Sequence, residues 1–376
     1  MTAGPPAVRP RNRRQLIVEA AGRAFSERGY HAASMEEIAA AVGITAAALY
    51  RHFPNKYALF TECANVLAGR LVAALAEPGV PLAEVLRPLA RVTVAHRTAG
   101  GLYRWESRYL ERADRQQLSA KFAQVMARVT EAVRPLPDAD LRAAAALGAI
   151  GSITMHRTSI AQRRAEDLLT EAALRVAAAP ASAAPSVELP AHPEARNRRA
   201  EIIAAAVPLF ERDGFAAVTN ARIAEAVGLV PSALYRHFPT KAEILAAACL
   251  QAAGLLAEAV DQNLHGATGS AALPVLAATY VAYSFEHTAL TNVAAAELGG
   301  LPAALQQPLI HAQRAHIAVW ERELRRTRPE LDAHQARVLV HAGFGVVVET
   351  GRRLRWRDLP EHRAAVTGFV LGALGG

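Results

Sequence analysis

Apolar residues recur at helical spacing near the start of the chain. Ile17, Ala20, Ala21, Ala24 and Phe25 occupy positions i, i+3, i+4, i+7 and i+8, which places them on one face of a helix. Runs with the strict alternation of a half-buried strand are almost absent from the 376 residues. The pattern therefore predicts an all-α protein, and the abundance of Ala, Leu, Arg and Glu agrees with that prediction.

The same pattern returns past the middle of the chain. Residues 11–56 align with residues 196–241 without a gap, at an offset of 185, and about half of the aligned positions are identical. A repeat with so long a period indicates duplicated domains. Residues 177–195 contain four prolines among Ala and Ser, so they predict a semi-extended linker between the two halves.

Each copy predicts a second helix and a tight turn after the first helix. Ser34 and Thr219 are N-cap residue types, and Ser34 with Glu37 forms the sequence pattern of a capping box. Gly43 and Gly228 follow the second helix, where a sharp turn between two helices needs glycine. This order of elements predicts a helix-turn-helix in each half.

A short third helix is predicted at residues 45–52 and 230–237, and a proline follows each. Lys56 and Lys241 then fall in the first turn of a fourth helix, where the helix dipole disfavours a cation. A bound anion would reverse that penalty, since a helix N-terminus and a lysine together suit a phosphate. We therefore expect a phosphate contact beside each third helix.

Both copies contain Ile-Ala-x-x-Val-Gly, then five residues, then Leu-Tyr-Arg-His-Phe-Pro-x-Lys. This motif resembles the DNA-binding domain of the TetR (tetracycline-repressor) family of transcriptional regulators, over about 46 residues in each copy. The resemblance implies that the third helix enters the major groove of double-stranded DNA. The base or groove contacts that it implies are Thr45, Ala46, Ala47, Tyr50 and Arg51, with Val230, Pro231, Ser232, Tyr235 and Arg236, and the phosphate contacts are Ser34, His52 and Lys56, with Thr219, His237 and Lys241.

The resemblance also implies tandem units, each a three-helix DNA-binding domain followed by a helical domain that binds a small effector and dimerises. The expected domains are a disordered arm at 1–10, DNA-binding domains at 11–60 and 196–245, regulatory domains at 61–176 and 246–376, and the linker at 177–195. Polar residues among the apolar helices are the candidates for effector contacts. They are His96, Arg104, Trp105, Glu106, Tyr109, His287, Asn292, Glu297, His311 and Trp320.

Glycines interrupt a predicted helix near the end of each half. Gly148 and Gly151 fall in the first, and Gly343 and Gly345 in the second. Glycine costs a helix about 1 kcal/mol relative to alanine, so we expect close approach of another helix or an easing of local packing. The resemblance implies that these helices belong to a dimerisation bundle. The two halves of one chain would form that bundle as an intrachain pseudo-dimer, or two chains would form it as a homodimer. The third helices differ between copies, which predicts unlike DNA half-sites.

The net charge of +8 favours a polyanionic partner. Cys63 and Cys249 are too far apart in sequence to suggest a disulfide framework, and buried, inert thiols are expected in preference to a redox switch. No cofactor or metal site is expected. The N-terminal residues do not resemble a signal peptide, and no unbroken apolar run suggests a membrane helix, so a cytoplasmic protein is expected.

These observations favour an effector-released repressor that binds specific DNA. Two alternatives remain open, a non-specific DNA-organising protein and a constitutive regulator without an effector. An enzyme is disfavoured because Gly-x-Ser-x-Gly, a Gly-rich phosphate loop after a strand and His-Glu-x-x-His are all absent from the sequence.

Overall fold

The computed structural model describes residues 13–98, 109–180, 184–191, 195, 197–215, 217–289, 293 and 301–375. The chain is 76% helical, and these ranges contain no strand, which confirms the predicted all-α class. Several sequence predictions lie outside the described residues, namely the arm at 1–10 and the effector candidates Arg104, Trp105, Glu106, Asn292 and Glu297.

Sixteen α-helices lie in the described ranges, eight in each half. The first half contains α1 (Arg13–Ala32), α2 (Met35–Ala41), α3 (Ala46–Tyr50), α4 (Lys56–Ala73), α5 (Leu82–Ala95), α6 (Arg112–Val133), α7 (Ala139–Gly151) and α8 (Gln162–Ala178). The second contains α9 (Arg198–Asp213), α10 (Asn220–Ala226), α11 (Pro231–His237), α12 (Lys241–Leu264), α13 (Ala272–Glu286), α14 (Ala303–Thr327), α15 (Ala333–Arg353) and α16 (Pro360–Leu374).

We call α1–α3 the first head and α9–α11 the second head. The predicted apolar stripe of α1 is buried, since Ile17 and Phe25 are fully enclosed, and Ile202 and Phe210 repeat this arrangement in α9. Gly29 has φ 80° and ψ 164° and breaks the helical conformation of α1, so this turn needs glycine. Each head thus has its own small core, which the first turns of α4 or α12 complete.

The predicted capping box at the start of α2 is present. The Ser34 Oγ accepts a hydrogen bond from the Glu37 amide at 3.1 Å, and the Glu37 carboxylate accepts one from the Ser34 amide at 3.3 Å. In the second head the Thr219 hydroxyl accepts from the Arg222 amide at 3.3 Å, without the reciprocal bond. Both caps satisfy amides that the first helical turn leaves without partners.

The last two helices of each half pack together across the halves. α7 contacts α15, α8 contacts α16, and each of these helices also packs against its own neighbour in sequence. The main hydrophobic core is shared, because it contains Leu141, Ala145 and Leu169 from the first half together with Leu339 and Phe369 from the second. The two halves are therefore joined by one continuous core.

α7 and α15 touch through their backbones at Gly148 and Gly345. A Cβ built on Gly148 would lie 2.5 Å from the carbonyl oxygen of Gly345 and 3.1 Å from the Cβ of Glu349. A Cβ on Gly345 would likewise meet the carbonyl oxygen of Gly148. The contact is reciprocal, as at a two-fold interface. The two helices approach closely at these glycines, as expected.

Arginines tie helix ends together around this four-helix bundle. Buried Arg142 donates to the carbonyl oxygens of Ala177 and Ala179 at 2.7 Å each, at the end of α8. Arg175 of α8 donates to the carbonyl oxygen of Gly372 in α16 at 3.1 Å. These bonds satisfy the terminal carbonyls that a helix cannot pair internally.

The described part of the linker lies along α12. The Glu188 amide donates to the Asn263 Oδ1 at 3.0 Å, and the Asn263 Nδ2 donates to the Glu188 carbonyl oxygen at 2.7 Å. One side-chain amide thus pairs both backbone groups of one linker residue. The described residues 184–191 have no regular secondary structure.

Helix α12 is long and apolar enough, by length and composition, to cross a membrane, which the sequence analysis did not anticipate. Its contacts with α9, α13 and α14 explain much of that composition, because its apolar residues supply both the core of the second head and one side of the second half. Core helices of soluble proteins can have the same length and apolar composition.

Candidate nucleic-acid interface

The third helices lie on the surface of both heads. Leu49 and Phe53 are 0% and 2% exposed and hold α3 against the head, as Leu234 and Phe238 hold α11. The opposite faces carry Tyr50, which is 46% exposed, and other polar or small residues. The exposed residues of the two third-helix segments are Thr45, Ala47, Tyr50, Arg51 and His52, and Val230, Pro231, Ser232, Tyr235 and Arg236.

Each third helix is short because of the residues that bound it. Thr45 is the N-cap of α3, and its hydroxyl accepts a hydrogen bond from the Ala48 amide at 3.2 Å. In the second head Val230 occupies the N-cap position without a side-chain bond, and Pro231 begins the helix. Phe53 and Phe238 end the segments by turning into the core. The exposed face of each helix is only two turns long.

The two exposed faces differ in chemistry. The first presents the hydroxyl and methyl groups of Thr45 and the methyl group of Ala47, with Ala46 half-buried between them. The second presents Val230, which is 64% exposed, followed by a proline and a serine. Methyl groups suit the thymine methyl, whereas a serine hydroxyl can donate to or accept from several base edges. The two faces therefore differ in the groups that they present, and unlike half-sites stay a prediction.

Arginines at the start of the first helices pack on the phenylalanines that end the third helices. The Arg14 guanidinium lies 4.8 Å from the ring centre of Phe53 and bonds Glu62 at 2.5 Å. The Arg199 guanidinium lies 3.9 Å from the ring centre of Phe238 and donates to the His237 carbonyl oxygen. These two arginines hold the third helix in place through cation–π contact.

Both fourth-helix lysines are bonded to backbone carbonyls. Lys56 Nζ donates to the His31 carbonyl oxygen at 3.0 Å and lies 5.0 Å from the ring centre of Tyr30. Lys241 Nζ donates to the Val218 carbonyl oxygen at 2.7 Å and also to that of Phe215. Burial lowers the pKa of Lys56. The phosphate contacts stay a prediction, and the carbonyl partners after the first helix are a feature that sequence spacing did not indicate.

The first head is joined to its body through Tyr57 in the first turn of α4. The Tyr57 hydroxyl donates to the Asp114 carboxylate at 2.5 Å and accepts a hydrogen bond from the Glu111 amide at 2.8 Å, both at the start of α6. Burial is the larger reason why the pKa of Tyr57 is raised, and the bond to Asp114 adds to it. Ala242 occupies the equivalent position in the second half, so the second head lacks this connection.

A first cleft of about 510 Å³ opens in the first body. Its walls are apolar residues of α4–α7, and its polar groups include Thr93, Arg115 and Ser119. Glu349 and Arg352 of α15 also line it, although α15 belongs to the second half. The first cleft is thus built from both halves of the chain.

A second cleft of about 710 Å³ opens in the second body. It lies between α12 and α14, and Tyr280 of α13 and Phe344 of α15 also line it. All of its described lining residues belong to the second half, unlike those of the first cleft. Pockets of this size and apolar character, with a few polar groups, suit small molecules.

None of the five effector candidates that the structure describes is among the lining residues of either cleft. His96 lies beside Arg70, and burial followed by this arginine lowers its pKa. Tyr109 stacks on Tyr30 at the first head, with ring centres 5.5 Å apart. His287 is buried at the end of α13, His311 is exposed, and Trp320 is buried in the main core behind the second cleft.

The predicted effector contacts are polar and aromatic residues that stand among apolar ones in the helices. The clefts are instead lined mainly by ordinary aliphatic residues and alanines from several helices. Only the packing of those helices leaves a gap between them, so sequence spacing alone carried no signal for the lining.

Both cysteines are buried, as expected. Cys63 Sγ donates to the Val18 carbonyl oxygen at 3.4 Å, and burial raises its pKa. Burial raises the pKa of Cys249 to about 12. Neither thiol ionises near neutral pH, so neither is poised for oxidation. Among the described residues, no cluster of three or more His, Cys, Asp or Glu side chains is arranged to hold a metal ion.

Two exposed, basic-flanked third helices on small three-helix heads define a helix-turn-helix protein of the DNA-binding class. Residues 17–63 and 202–248 each match the family described as bacterial regulatory proteins, tetR family. The chain belongs to this TetR family and carries two TetR-type units in tandem.

The chain is also similar to individual members of that family. The HTH-type transcriptional repressor AcnR of Corynebacterium glutamicum is 38% identical over 79 residues, which are 21% of this chain and 41% of that protein. The nucleoid occlusion factor SlmA of Aliivibrio fischeri is 46% identical over 55 residues, 14% of this chain and 28% of that protein. The chain thus spans less than half the length of these relatives.

Among solved structures, a TetR-family transcriptional regulator from Bordetella parapertussis is 25% identical. The superposition covers 48% of this chain and 96% of that chain, with a TM-score of 0.42.

Proposed function

We propose that the protein is a sequence-specific transcriptional repressor that binds double-stranded DNA with both heads of one chain and is released by a small, largely apolar effector. The observation that carries this proposal is the pair of exposed third helices on heads that share a single internal bundle. In this proposal residues 11–60 and 196–245 bind DNA, and residues 61–176 and 246–376 regulate that binding in the cytoplasm.

The shared bundle supports a single-chain pseudo-dimer. Helix-turn-helix dimers place two recognition helices on successive turns of DNA, about 34–36 Å apart. Ordinary members of such families need two chains for this. Here α7 and α8 pack on α15 and α16 of the same chain, so the surface that a second chain would cover is already occupied.

The DNA contacts proposed for the heads are those of the sequence analysis, with one change of emphasis. Tyr50, Arg51 and His52 are exposed on the first head, and Tyr235 and Arg236 on the second. The lysines at 56 and 241 already bond carbonyls, so we assign them mainly to positioning the third helices. The guanidinium and imidazole groups are then the principal partners of phosphate and base edges.

Two clefts support the effector part of the proposal. A ligand changes DNA binding only by its different affinity for the bound and released conformations. The first cleft is lined by α4, which carries the first head, and by α15 of the other half. The second is lined by α12, which carries the second head. An occupant of either cleft therefore contacts a helix that leads directly to a head.

The test begins with selection of bound sequences from a random duplex pool by the full chain, followed by light scattering and footprinting of the complex. We expect one 40.0 kDa chain per site and two unlike protected half-sites. Tyr50→Ala should weaken protection of one half-site and Tyr235→Ala the other. Leu136→Ala, at an exposed leucine between α6 and α7, is the matched control and should protect both.

Three outcomes would contradict the proposal. Two chains on a perfect palindrome would refute the pseudo-dimer. Equal affinity for selected and random duplexes would favour a DNA-organising protein. Two observations favour this alternative: α3 presents few groups that can read bases, and the chain matches a nucleoid occlusion factor. Specific binding that no small molecule relieves would leave a constitutive regulator.

A further inference from the structure

The second cleft has one wall of small residues and one wall of aromatic rings. Ala253, Gly254 and Ala257 line it from α12, and a Cβ built on Gly254 would meet no atom within 4 Å. Tyr280 and Phe344 line it from α13 and α15, with their ring planes inclined by 34°. Small side chains on one lining helix leave room beside the rings of the others, and aromatic rings pack favourably on a planar molecule.

Four rings form the aromatic side. The ring centres of Tyr280 and Phe344 are 4.5 Å apart, and those of His316 and Phe344 are 5.8 Å apart with planes inclined by 22°. Trp320 stands edge-on behind Phe344, at 90° and 5.5 Å. The rings support one another in contact geometries that aromatic groups prefer, so the wall is preorganised.

The bond between Trp320 and His316 determines the tautomer of the histidine. Trp320 Nε1 lies 3.1 Å from His316 Nε2, and an indole nitrogen can only donate. His316 Nε2 must therefore carry a lone pair, which leaves the proton on Nδ1. Burial lowers the pKa of His316 to about 4, so the ring is neutral near pH 7.

The Nδ1–H of His316 is available to an occupant of the cleft. His316 lines the cleft, and within the described residues no protein acceptor pairs with its Nδ1. His316 is only half-buried, so this donor is accessible from the cleft, and a ligand acceptor that excludes water there would pair with it. The neighbouring Gln313 adds an amide on the same helix.

The charge of the lining excludes most ions. Among the described residues that line the second cleft, Asp261 is the one charged residue, and it is exposed. No lining cation offers a partner to an anion. A cation could contact the ring faces, but it would also meet the donor hydrogen of His316 in place of an acceptor. The interior therefore favours an uncharged molecule, because an unpaired charge is costly to desolvate.

We propose that the second cleft binds an uncharged, planar aromatic molecule that stacks on Tyr280 and Phe344 and accepts a hydrogen bond from His316. This inference rests on the proposed function only in treating the cleft as a regulatory site; the binding itself stands on the geometry. The first cleft lacks this wall and is lined by Arg115, Arg352 and Glu349, so it belongs to a different ligand class.

The test uses four matched probes with the full chain in the absence of DNA. They are 9-fluorenone, which has a carbonyl acceptor, fluorene, which has the same shape without it, 9-fluorenone-4-carboxylate as the anion, and 10-methylacridinium as the cation. Calorimetric titration should show that fluorenone binds and that fluorene binds roughly tenfold more weakly, the loss expected for one buried hydrogen bond. The two ions should bind more weakly still.

Variants separate the cleft from other surfaces. Gly254→Leu fills the open space beside α12 and should abolish fluorenone binding. His316→Phe keeps a ring but removes the donor, and should bring fluorenone down to the affinity of fluorene. Leu147→Phe fills the first cleft instead and should leave fluorenone binding unchanged. Circular dichroism checks that each variant is folded. If His316→Phe does not fold, Gly254→Leu still tests whether fluorenone binds in the second cleft.

Absence of fluorenone binding, preference for either ion, or wild-type binding by Gly254→Leu would overturn the inference. A parallel DNA shift assay keeps it distinct from the proposed function. If fluorenone binds the cleft but leaves the DNA complex intact, the ligand class stands and release by this ligand fails. If both heads bind DNA but fluorenone does not bind, only the ligand inference fails.

Discussion

At the residue scale, the basic side chains of one head fall into two groups. Some stabilise the fold of the head, and others are exposed on its third helix. Lys241 and Arg236 illustrate this division. Both are cations within six positions of each other, yet Lys241 bonds two carbonyls of the preceding turn, whereas Arg236 is exposed on the third helix. Charge alone therefore does not identify a DNA contact, because a cation that already has carbonyl partners contributes first to the fold.

We predict opposite effects for these two cations. Lys241→Met should lower the free energy of unfolding by about 1–2 kcal/mol, since it leaves carbonyls without their donor, and should change the salt dependence of DNA affinity little. Arg236→Met should leave stability unchanged and reduce the slope of log K against log salt by about 0.9, the loss of one phosphate contact. Thermal unfolding and salt titration of the DNA complex measure both.

A smaller salt slope with unchanged stability in Lys241→Met would instead make this lysine a phosphate ligand, as its position at the start of a helix first suggested.

A stacked histidine pair, of which His341 is buried and His156 half-buried, predicts a pH dependence of stability. His156 and His341 stack across the halves with ring centres 4.1 Å apart. Burial lowers the pKa of His156 to about 2 and that of His341 to about 4, and nearby charge from Arg97 and Arg337 adds to the effect on His156. The unfolded chain binds protons near pH 6.5, so its stability relative to the folded chain rises as pH falls.

The free energy of unfolding should therefore be fully maintained above pH about 6.5 and should fall toward pH about 4, by up to about 1.4 kcal/mol per pH unit for each histidine. Chemical denaturation at pH 7, 6 and 5 measures it. The double variant His156→Phe and His341→Phe should flatten this dependence, whereas His311→Phe, at an exposed position, should not. An equally steep profile in the double variant would assign the dependence to other groups.

At the element scale, the two halves repeat the same helices but connect them differently. α4 is tied to α6 by the Tyr57 hydroxyl, and α12 has an alanine at that position. α12 is instead tied to the linker through Asn263 and to α13 through Tyr283, whose hydroxyl donates to the Ala252 carbonyl oxygen at 2.8 Å. The helices that carry the two heads are therefore held to the rest of the chain by different contacts.

We predict that Tyr57→Phe loosens the first head only. Loss of the bonds to Asp114 and from the Glu111 amide should lower local stability by about 1–2 kcal/mol, because one partner is a carboxylate. Amide hydrogen exchange should rise in α4 and the start of α6 and stay unchanged in α12. Tyr50→Phe, which changes an exposed tyrosine of the same head, is the control. Equal acceleration in both heads would contradict this account.

At the scale of the whole molecule, one bundle makes two halves into a single body. One close contact joins Gly148 and Gly345 backbone to backbone, and its core contains residues of both halves. Close packing of this kind tolerates no added atom, because the neighbouring helix cannot give way without moving a whole half.

We predict that Gly148→Ala destabilises the protein although alanine is the better helix former. The added Cβ would lie 2.5 Å from the Gly345 carbonyl oxygen, and overpacking of this kind costs about 1–3 kcal/mol. Gly69→Ala, in α4 with no atom within 4 Å of the new Cβ, is the matched control and should stabilise by up to about 1 kcal/mol. Thermal unfolding compares them, and equal melting temperatures would refute the close approach.

The sequence alone determined the local structure of this protein. The apolar stripes, the capping box at Ser34 and Glu37 and the repeated glycines predicted the helices of both heads, and the motif gave the exposed face of each third helix. These features depend on residues a few positions apart, for which helix geometry fixes the relation between spacing and direction.

Only the tertiary structure decided what distant residues do together. It assigned Lys56 and Lys241 to carbonyls, placed Gly148 against Gly345, and formed two clefts that contain none of the described effector candidates. Such outcomes depend on which helix faces meet and how closely they pack. Many positions share an apolar or polar character, so their sequence spacing cannot specify the partner that packing selects.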